Sequence, residues 1–466
     1  MSLLKRALLG LAALTLCAGQ AWAVPAFARQ TGMSCAQCHT EFPELTPFGR
    51  QFKLNGYVLG AKDKVTDTVP NADGKDEDAQ TRLEIGTGVP LGAMIQAEVH
   101  WIRNDASKNL TLTTNAGSDG QGYASLPTQV SLFFAGEITP KVGAFMQLTY
   151  DPNGGGVGID NTDIRYADHW GVGSHDLLLG ATINNNITAQ DVYNSTPAWG
   201  FPFAEPDNAP GPTVATQIEG AMAQNVAGLG VYVDWDSWLY AELSGYRTNP
   251  QAGYTGEYIQ GWAPYWRVAA ELDRGNHAWE VGAYGVTLPL LPGNLDLGTS
   301  PANTPADIYT DVAFDTQYQY IGEDNIFTLL GSYTIENQAL NYSSNPNHTL
   351  SGGGTGALSS NTYDQLLDLH MTASYLYKRA WGAAISYFQL TGNSDPVLYN
   401  NMGLYQNVPN SNGFIYELSY RPWLNTRLSL DYAAYGQVDG TGVDYDGAGR
   451  SAADNNTLTA MAWFAY

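Results

Sequence analysis

The feature that most restricts this chain is a two-residue beat of apolar and polar side chains from about residue 92 onward. Ala93-Met94-Ile95-Gln96-Ala97-Glu98-Val99-His100-Trp101 takes turns in this way, and so do Phe414–Arg421 and Arg427–Tyr432. Successive strand side chains point to opposite faces, so the beat predicts strands with one apolar and one polar face. Sixteen such segments are expected: 92–103, 129–138, 141–151, 158–168, 175–186, 226–235, 237–247, 264–274, 277–290, 308–321, 325–338, 363–378, 380–392, 413–423, 426–437 and 454–466. After every even-numbered segment except the last, the gap is one to six residues. After most odd-numbered ones it is long, as in 187–225, 339–362 and 393–412, while 152–157 is a short exception.

Alternating short turns and long loops are the mark of an outer-membrane barrel, with turns in the periplasm and loops outside. An even strand count then leaves both ends of the barrel in the periplasm. Trp101, Trp235, Trp266 and Trp279 fall on apolar faces near strand ends, where interfacial aromatic girdles belong. The stretch Leu458–Tyr466 reads as a closing strand that ends on an aromatic residue. A soluble sandwich pair or propeller is the competing reading, but it hides apolar faces and gives tryptophans no reason to sit at strand ends. The expected fold class is all-β: a transmembrane antiparallel β-barrel of about sixteen strands with a small N-terminal helical or irregular domain.

Composition agrees. Charged residues are 14% of the chain, against about 25% in soluble domains. With 51 Gly and 29 Tyr, both are abundant. The net charge of −24 argues against a nucleic-acid partner, since phosphate contacts need Lys and Arg. Three Cys exclude a disulfide scaffold.

Residues 1–23 read as an export signal: Lys5 and Arg6, an apolar run from Leu8 to Ala18, and the cleavage pattern Ala21-Trp22-Ala23. Beyond residue 23 no run of 18 apolar residues offers a membrane helix. The remaining chain divides into a domain with its linker at 24–80, of which 61–80 is polar and acidic, and the barrel at 81–466.

The first of these carries Cys35-Ala36-Gln37-Cys38-His39, the C-x-x-C-H pattern of covalent c-type haem attachment. Two thiols add to the two vinyl groups of one porphyrin, and the next residue presents its imidazole to the iron. A zinc site needs two more ligands, and no further Cys exists downstream. A redox dithiol needs a βαβ setting, which is missing. One covalently bound haem c is therefore expected on Cys35 and Cys38, with His39 as proximal ligand to the haem iron. Next, Thr46 and Pro47 open a short helix that Asn55-Gly56 stops. Phe48 and Phe52 share one face of it and suit a haem face; Arg50 and Lys53 suit its propionates or a solvated basic face.

For the sixth iron ligand, Met33 lies too near the attachment loop. Lys53, Lys62 and Lys64 remain open, as does a vacant position. Met94, His100 and His370 fall on lumen parity, whereas Met146 and Met371 fall on lipid parity. Met94 and His100, on the first strand, are the leading candidates. Lumen-parity positions such as Glu98, Asp163, Glu242, Glu271, Asp368 and Arg267 are mostly acidic, which favours cations in a low-dielectric channel.

The segment Pro25–Tyr57, above all its Phe-Pro-Glu-Leu-Thr-Pro-Phe-Gly-Arg-Gln-Phe-Lys-Leu-Asn-Gly-Tyr run, resembles the fused monohaem cytochrome–porins of iron-oxidising bacteria. Over the rest of the chain the resemblance is architectural. It implies a haem domain in or against an outer-membrane barrel, taking electrons from extracellular Fe(II) and passing them to a periplasmic carrier, a soluble cytochrome or a cupredoxin. The hydrocarbon core is about 30 Å thick, so the expectation is that residues 24–80 plug the lumen and that Fe(II) enters through an acidic mouth. The rival readings are an electron conduit for another donor, and a substrate porin with a structural or sensor haem.

Overall fold

The computed structural model describes residues 26–59 and 90–465, except 32, 42–43, 105–122, 152–155, 189, 198–210, 221–222, 250–255, 292–303, 348–355 and 424. The expected signal at 1–23 and linker at 61–80, with Lys62 and Lys64, lie outside the described residues. Sixteen strands follow one another around a ring: β1 (Leu91–Ile102), β2 (Tyr123–Thr139), β3 (Val142–Asp151), β4 (Gly156–Val172), β5 (His175–Asn184), β6 (Val226–Trp235), β7 (Leu239–Thr248) and β8 (Ala263–Arg274) form its first half. β9 (His277–Leu291), β10 (Asp307–Ile321), β11 (Asn325–Ala339), β12 (Tyr363–Tyr377), β13 (Trp381–Gly392), β14 (Ser411–Trp423), β15 (Thr426–Gln437) and β16 (Thr457–Ala465) form the second. Each pairs antiparallel with its chain neighbours, and β16 pairs with β1 in the register Glu98↔Met461 and His100↔Thr459, so the sheet is closed. A two-residue strand, Tyr258–Ile259, extends the wall beside β9.

All sixteen expected segments are strands. The differences lie at the ends. β4 runs to Val172, so its turn shrinks to Gly173 and Ser174. β2 begins at Tyr123 rather than 129. The last strand starts at Thr457, because Ala452–Asn455 coil into a short 3₁₀ turn behind the N-cap Ser451.

Polarity is inverted relative to a soluble protein. On β10, Asp307, Asp311, Asp315, Gln317 and Gln319 are buried in the lumen, while Ile308 and Phe314 on the other parity are exposed. On β6, Leu229 and Val231 face outward, more than half exposed. An outward apolar band is stable only against lipid. Exposed tryptophans mark its edge at the short-turn end: Trp170, Trp238, Trp279, Trp381 and Trp423. The abundance of Gly and Tyr has a packing reason. Tyr232 lies across from Gly180, and Tyr246 across from Gly228. A Cβ on either glycine would meet its ring at 2.0 and 2.2 Å, so the aromatic ring covers the glycine backbone.

A sixteen-stranded ring is too wide for wall side chains alone to fill. Among the described residues two segments enter it. The connection between β5 and β6 folds inward, packing Ile187 and Ile218 against Tyr246, Tyr265, Tyr284 and Leu288. Arg267 of β8 ties it to the wall. Its guanidinium contacts Asp191 at 3.2 Å, Ser195 Oγ at 3.0 Å and Asp315, between the rings of Tyr193 and Tyr284. Asp191 in turn accepts backbone N–H groups from Tyr193, Ser195 and Thr196. Removing one partner of a buried ion pair typically costs about 3–5 kcal/mol, because the other charges stay buried. Arg267→Leu is therefore expected to release this loop, lowering the thermal midpoint of barrel unfolding and raising single-channel conductance in planar bilayers.

Candidate functional site

The second filler is the N-terminal segment, and it carries the C-x-x-C-H motif. Three short helices make it: α1 (Ala26–Thr31), α2 (Cys35–Cys38) and α3 (Pro47–Leu54). α2 is one turn, which sets its two cysteines three residues apart on one side. His39 N–H donates to Cys35 O at 2.9 Å, so the histidine follows directly on that turn. The two thiols form no disulfide, and both side chains are half-buried. Burial pushes both thiols up, Cys38 to about 11.

Thr46 welds the motif to α3. As N-cap, its Oγ1 accepts from Gly49 N at 3.0 Å. The same hydroxyl donates to Gln37 O at 2.6 Å, and its backbone N–H donates to Cys38 O at 2.9 Å. Gly49 lies so close that a Cβ there would sit 2.2 Å from Cys38 O. The expected helix at Thr46–Gly56 is thus present, and it packs directly on the motif.

α3 also fixes the whole segment inside the barrel at the short-turn end. Arg50 is the principal tether. Its Nε and Nη2 grip Glu271 at 3.0 and 2.5 Å, and Nη1 donates to Gln317 at 2.8 Å and Gln319 at 3.1 Å. Tyr57 donates to Asp163 at 2.6 Å, Gln51 to Asp234 at 3.0 Å, and Tyr232 of the wall donates to Leu54 O at 2.6 Å. A Cβ on Gly143 of β3 would meet Gly56 O at 2.1 Å, so wall and plug backbones touch there. Arg421 pairs with Glu41, and Arg379 in the β12–β13 turn reaches Ala36 O at 3.4 Å. Phe52 joins Phe27 and Tyr57 in an aromatic cluster that continues to Phe145 on the wall. Lys53 donates to Asp191 O at 3.0 Å, linking the plug to the inward loop, and burial lowers its ammonium to about 8.

Arg50 and Lys53, the residues expected to suit propionates, contact the wall and the inward loop. Met94 and His100 are both buried on the lumen side of β1, as expected. Met94 lies toward the short-turn end, where α1 reaches the wall through Gln30 and Ala135 O at 2.7 Å. His100 is near the long-loop end, with Nδ1 3.5 Å from Glu98. Met371 is on the lipid face, nearly half exposed. Sequence reasoning missed Asp311, Glu336 and Glu219 as lumen carboxylates. Parity would have found the first two, whereas Glu219 depends on how the long loop folds.

Closure, the outward apolar band and the alternation of turns and loops make the chain an outer-membrane β-barrel of porin-like build. Neither protein-family models nor curated proteins match it. Solved structures resemble it at low identity. Salmonella typhi OmpF, solved in complex with daunomycin, aligns over 81% of this chain and 97% of its own at 13% identity and a TM-score of 0.45. The outer-membrane channel DcaP of Acinetobacter baumannii aligns over 81% and 96% at 12% identity and 0.44. The anion-selective porin of Comamonas acidovorans aligns over 81% and 98% at 12% and 0.42.

Arg50→Ala leaves Glu271 buried and uncompensated, a cost of about 3–5 kcal/mol. It is expected to free the plug, seen as higher conductance and as protease cleavage near residue 50 in intact outer membranes. If Met94 is the distal iron ligand, Met94→Ala abolishes the low-spin haem spectrum and His100→Ala leaves it unchanged.

Proposed function

We propose that this chain is an outer-membrane electron-transfer protein that takes electrons from extracellular Fe(II) and passes them to a soluble periplasmic carrier. The observation that carries the reading is the placement of Cys35, Cys38 and His39 on one turn of a plug seated in the barrel at its short-turn end. The donor set fits a covalent haem c: two unlinked, half-buried thiols three residues apart, an imidazole on the next residue, and α3 packed against the turn. Cys35 and Cys38 would hold the porphyrin and His39 the iron; when bound, the group supplies a one-electron couple at that place.

The rest of the chain serves the same end. Arg50, Tyr57 and Gln51 anchor the plug and block free diffusion. Acidic lumen positions draw cations rather than anions toward it. At the periplasmic rim the motif stands within reach of a soluble carrier.

A second reading has one observation in its favour, the porin-like architecture itself. In it the barrel passes solutes and the haem is structural or a sensor. The two readings separate in one preparation. Oxidised protein in detergent, given Fe(II) without oxygen, is expected to show rapid stoichiometric reduction of the haem bands and low single-channel conductance. No reduction by Fe(II) where dithionite succeeds moves the donor elsewhere. Large open conductance from intact protein selects the porin, and absence of haem overturns electron transfer.

A further inference from the structure

We propose that the outer half of the lumen contains a binding site for a first-row divalent cation, with Glu219, Asp368 and His370 as ligands. Asp368 and His370 stand two apart on β12, both facing inward. Glu219 comes from the inward loop. One ligand atom from each of the three lies within 4.8 Å of the others. Nε2 of His370 is 3.0 Å from Asp368 Oδ2 and 3.7 Å from Glu219 Oε1, so both carboxylates converge on one imidazole nitrogen. Two carboxylates with an imidazole suit Mn(II), Fe(II) or Zn(II) better than the all-oxygen sets of Ca(II) and Mg(II).

The third ligand is placed by neighbouring carboxylates. The backbone N–H of Ile218 donates to Asp311 at 2.7 Å, and that of Gln217 donates to Glu336. These successive bonds fix the next residue, Glu219, opposite His370.

Charge gives an independent argument. At several places in the lumen arginine answers carboxylate: Arg50 with Glu271, Arg165 with Asp163, Arg267 with Asp191 and Asp315, Arg427 with Glu417. Asp311, Glu336 and Asp368 are each at most 3% exposed, yet none has an Arg or Lys ion-pair partner among the described residues. Oδ1 of Asp311 is buried without a well-formed hydrogen bond, and Oδ2 of Asp368 faces only the imidazole of His370 among the ion pairs of the described residues. Buried carboxylates are costly unless a positive charge answers them. A divalent ion at His370 supplies it, while the partial exposure of the His370 and Glu219 side chains, 19% and 24%, leaves a way in.

The site is remote from the attachment motif. His370 and Arg379, the residue that touches Ala36 O, lie on one strand and its turn, roughly 30 Å apart along the chain at about 3.3 Å per residue. It therefore loads and selects ions rather than donating electrons directly. Naming Fe(II) as its natural ion rests on the function proposed above; the site itself does not.

The test is a titration of the full-length detergent-purified protein with Mn(II), following free Mn(II) by electron paramagnetic resonance, with haem content measured on the same sample. One Mn(II) per chain is expected, displaced by anaerobic Fe(II). Asp368→Asn, His370→Gln and Glu219→Gln should each weaken binding at least tenfold. Glu219 is on the loop and not the wall, so E219Q keeps the barrel closed, as heat-modifiable gel mobility would verify. No bound Mn(II), or equal affinity in folded E219Q and the unaltered protein, overturns the site. Binding that E219Q abolishes, in protein whose haem Fe(II) does not reduce, keeps the site and removes the iron-oxidation reading. Fe(II) reduction with no Mn(II) site does the reverse.

Discussion

Hydrocarbon offers no water to an unpaired peptide group, so a sheet that crosses it has to close on itself. The seam between β1 and β16 meets that demand, and much else follows from it. Sixteen strands are enough to enclose a channel, and a channel in a membrane is a leak unless something occupies it. The chain supplies two occupants from its own length, the loop between β5 and β6 and the segment at 26–59. Each is held by polar groups, since the wall that receives them is the polar face of every strand.

That polar face explains why most buried cations of the interior are guanidinium groups. An arginine presents a fork of donors to carboxylates and a flat face to aromatic rings, and lysine does neither as well. Arg267 uses both, with acidic partners around it and tyrosine rings above and below. Arg50 does the same between Glu271 and Tyr193. Asp311, Glu336 and Asp368 are among the buried lumen carboxylates without an arginine partner among the described residues, and Asp368 faces the His370 imidazole instead.

The strands were legible because a half-lipid, half-lumen environment imposes its period on every one of them, as on Asp311-Val312-Ala313-Phe314-Asp315. Strand ends were less so. Residues 169–172 read as a turn because His169, Trp170 and Gly171 break the beat, yet pairing with β5 continues through them. The C-x-x-C-H turn and the helix after Thr46 were readable from local chemistry, a fixed spacing in one case and a cap in the other. The partners of that helix were not. That Arg50 meets Glu271, or Glu219 meets His370, depends on contacts between residues more than a hundred positions apart, which no local pattern encodes.

The plug also sets an order of events for making the molecule. Cys35 and Cys38 sit on a segment that the finished ring surrounds, held from several sides by residues of β4, β6, β8, β10 and β14. Chemistry that joins a group to those sulfurs needs the turn within an enzyme's reach, which is the condition of the chain before it docks. Chemistry at those sulfurs is therefore less hindered on the free segment than on the seated one. Seating the plug thus fixes the turn against the wall on every side where those strands meet it.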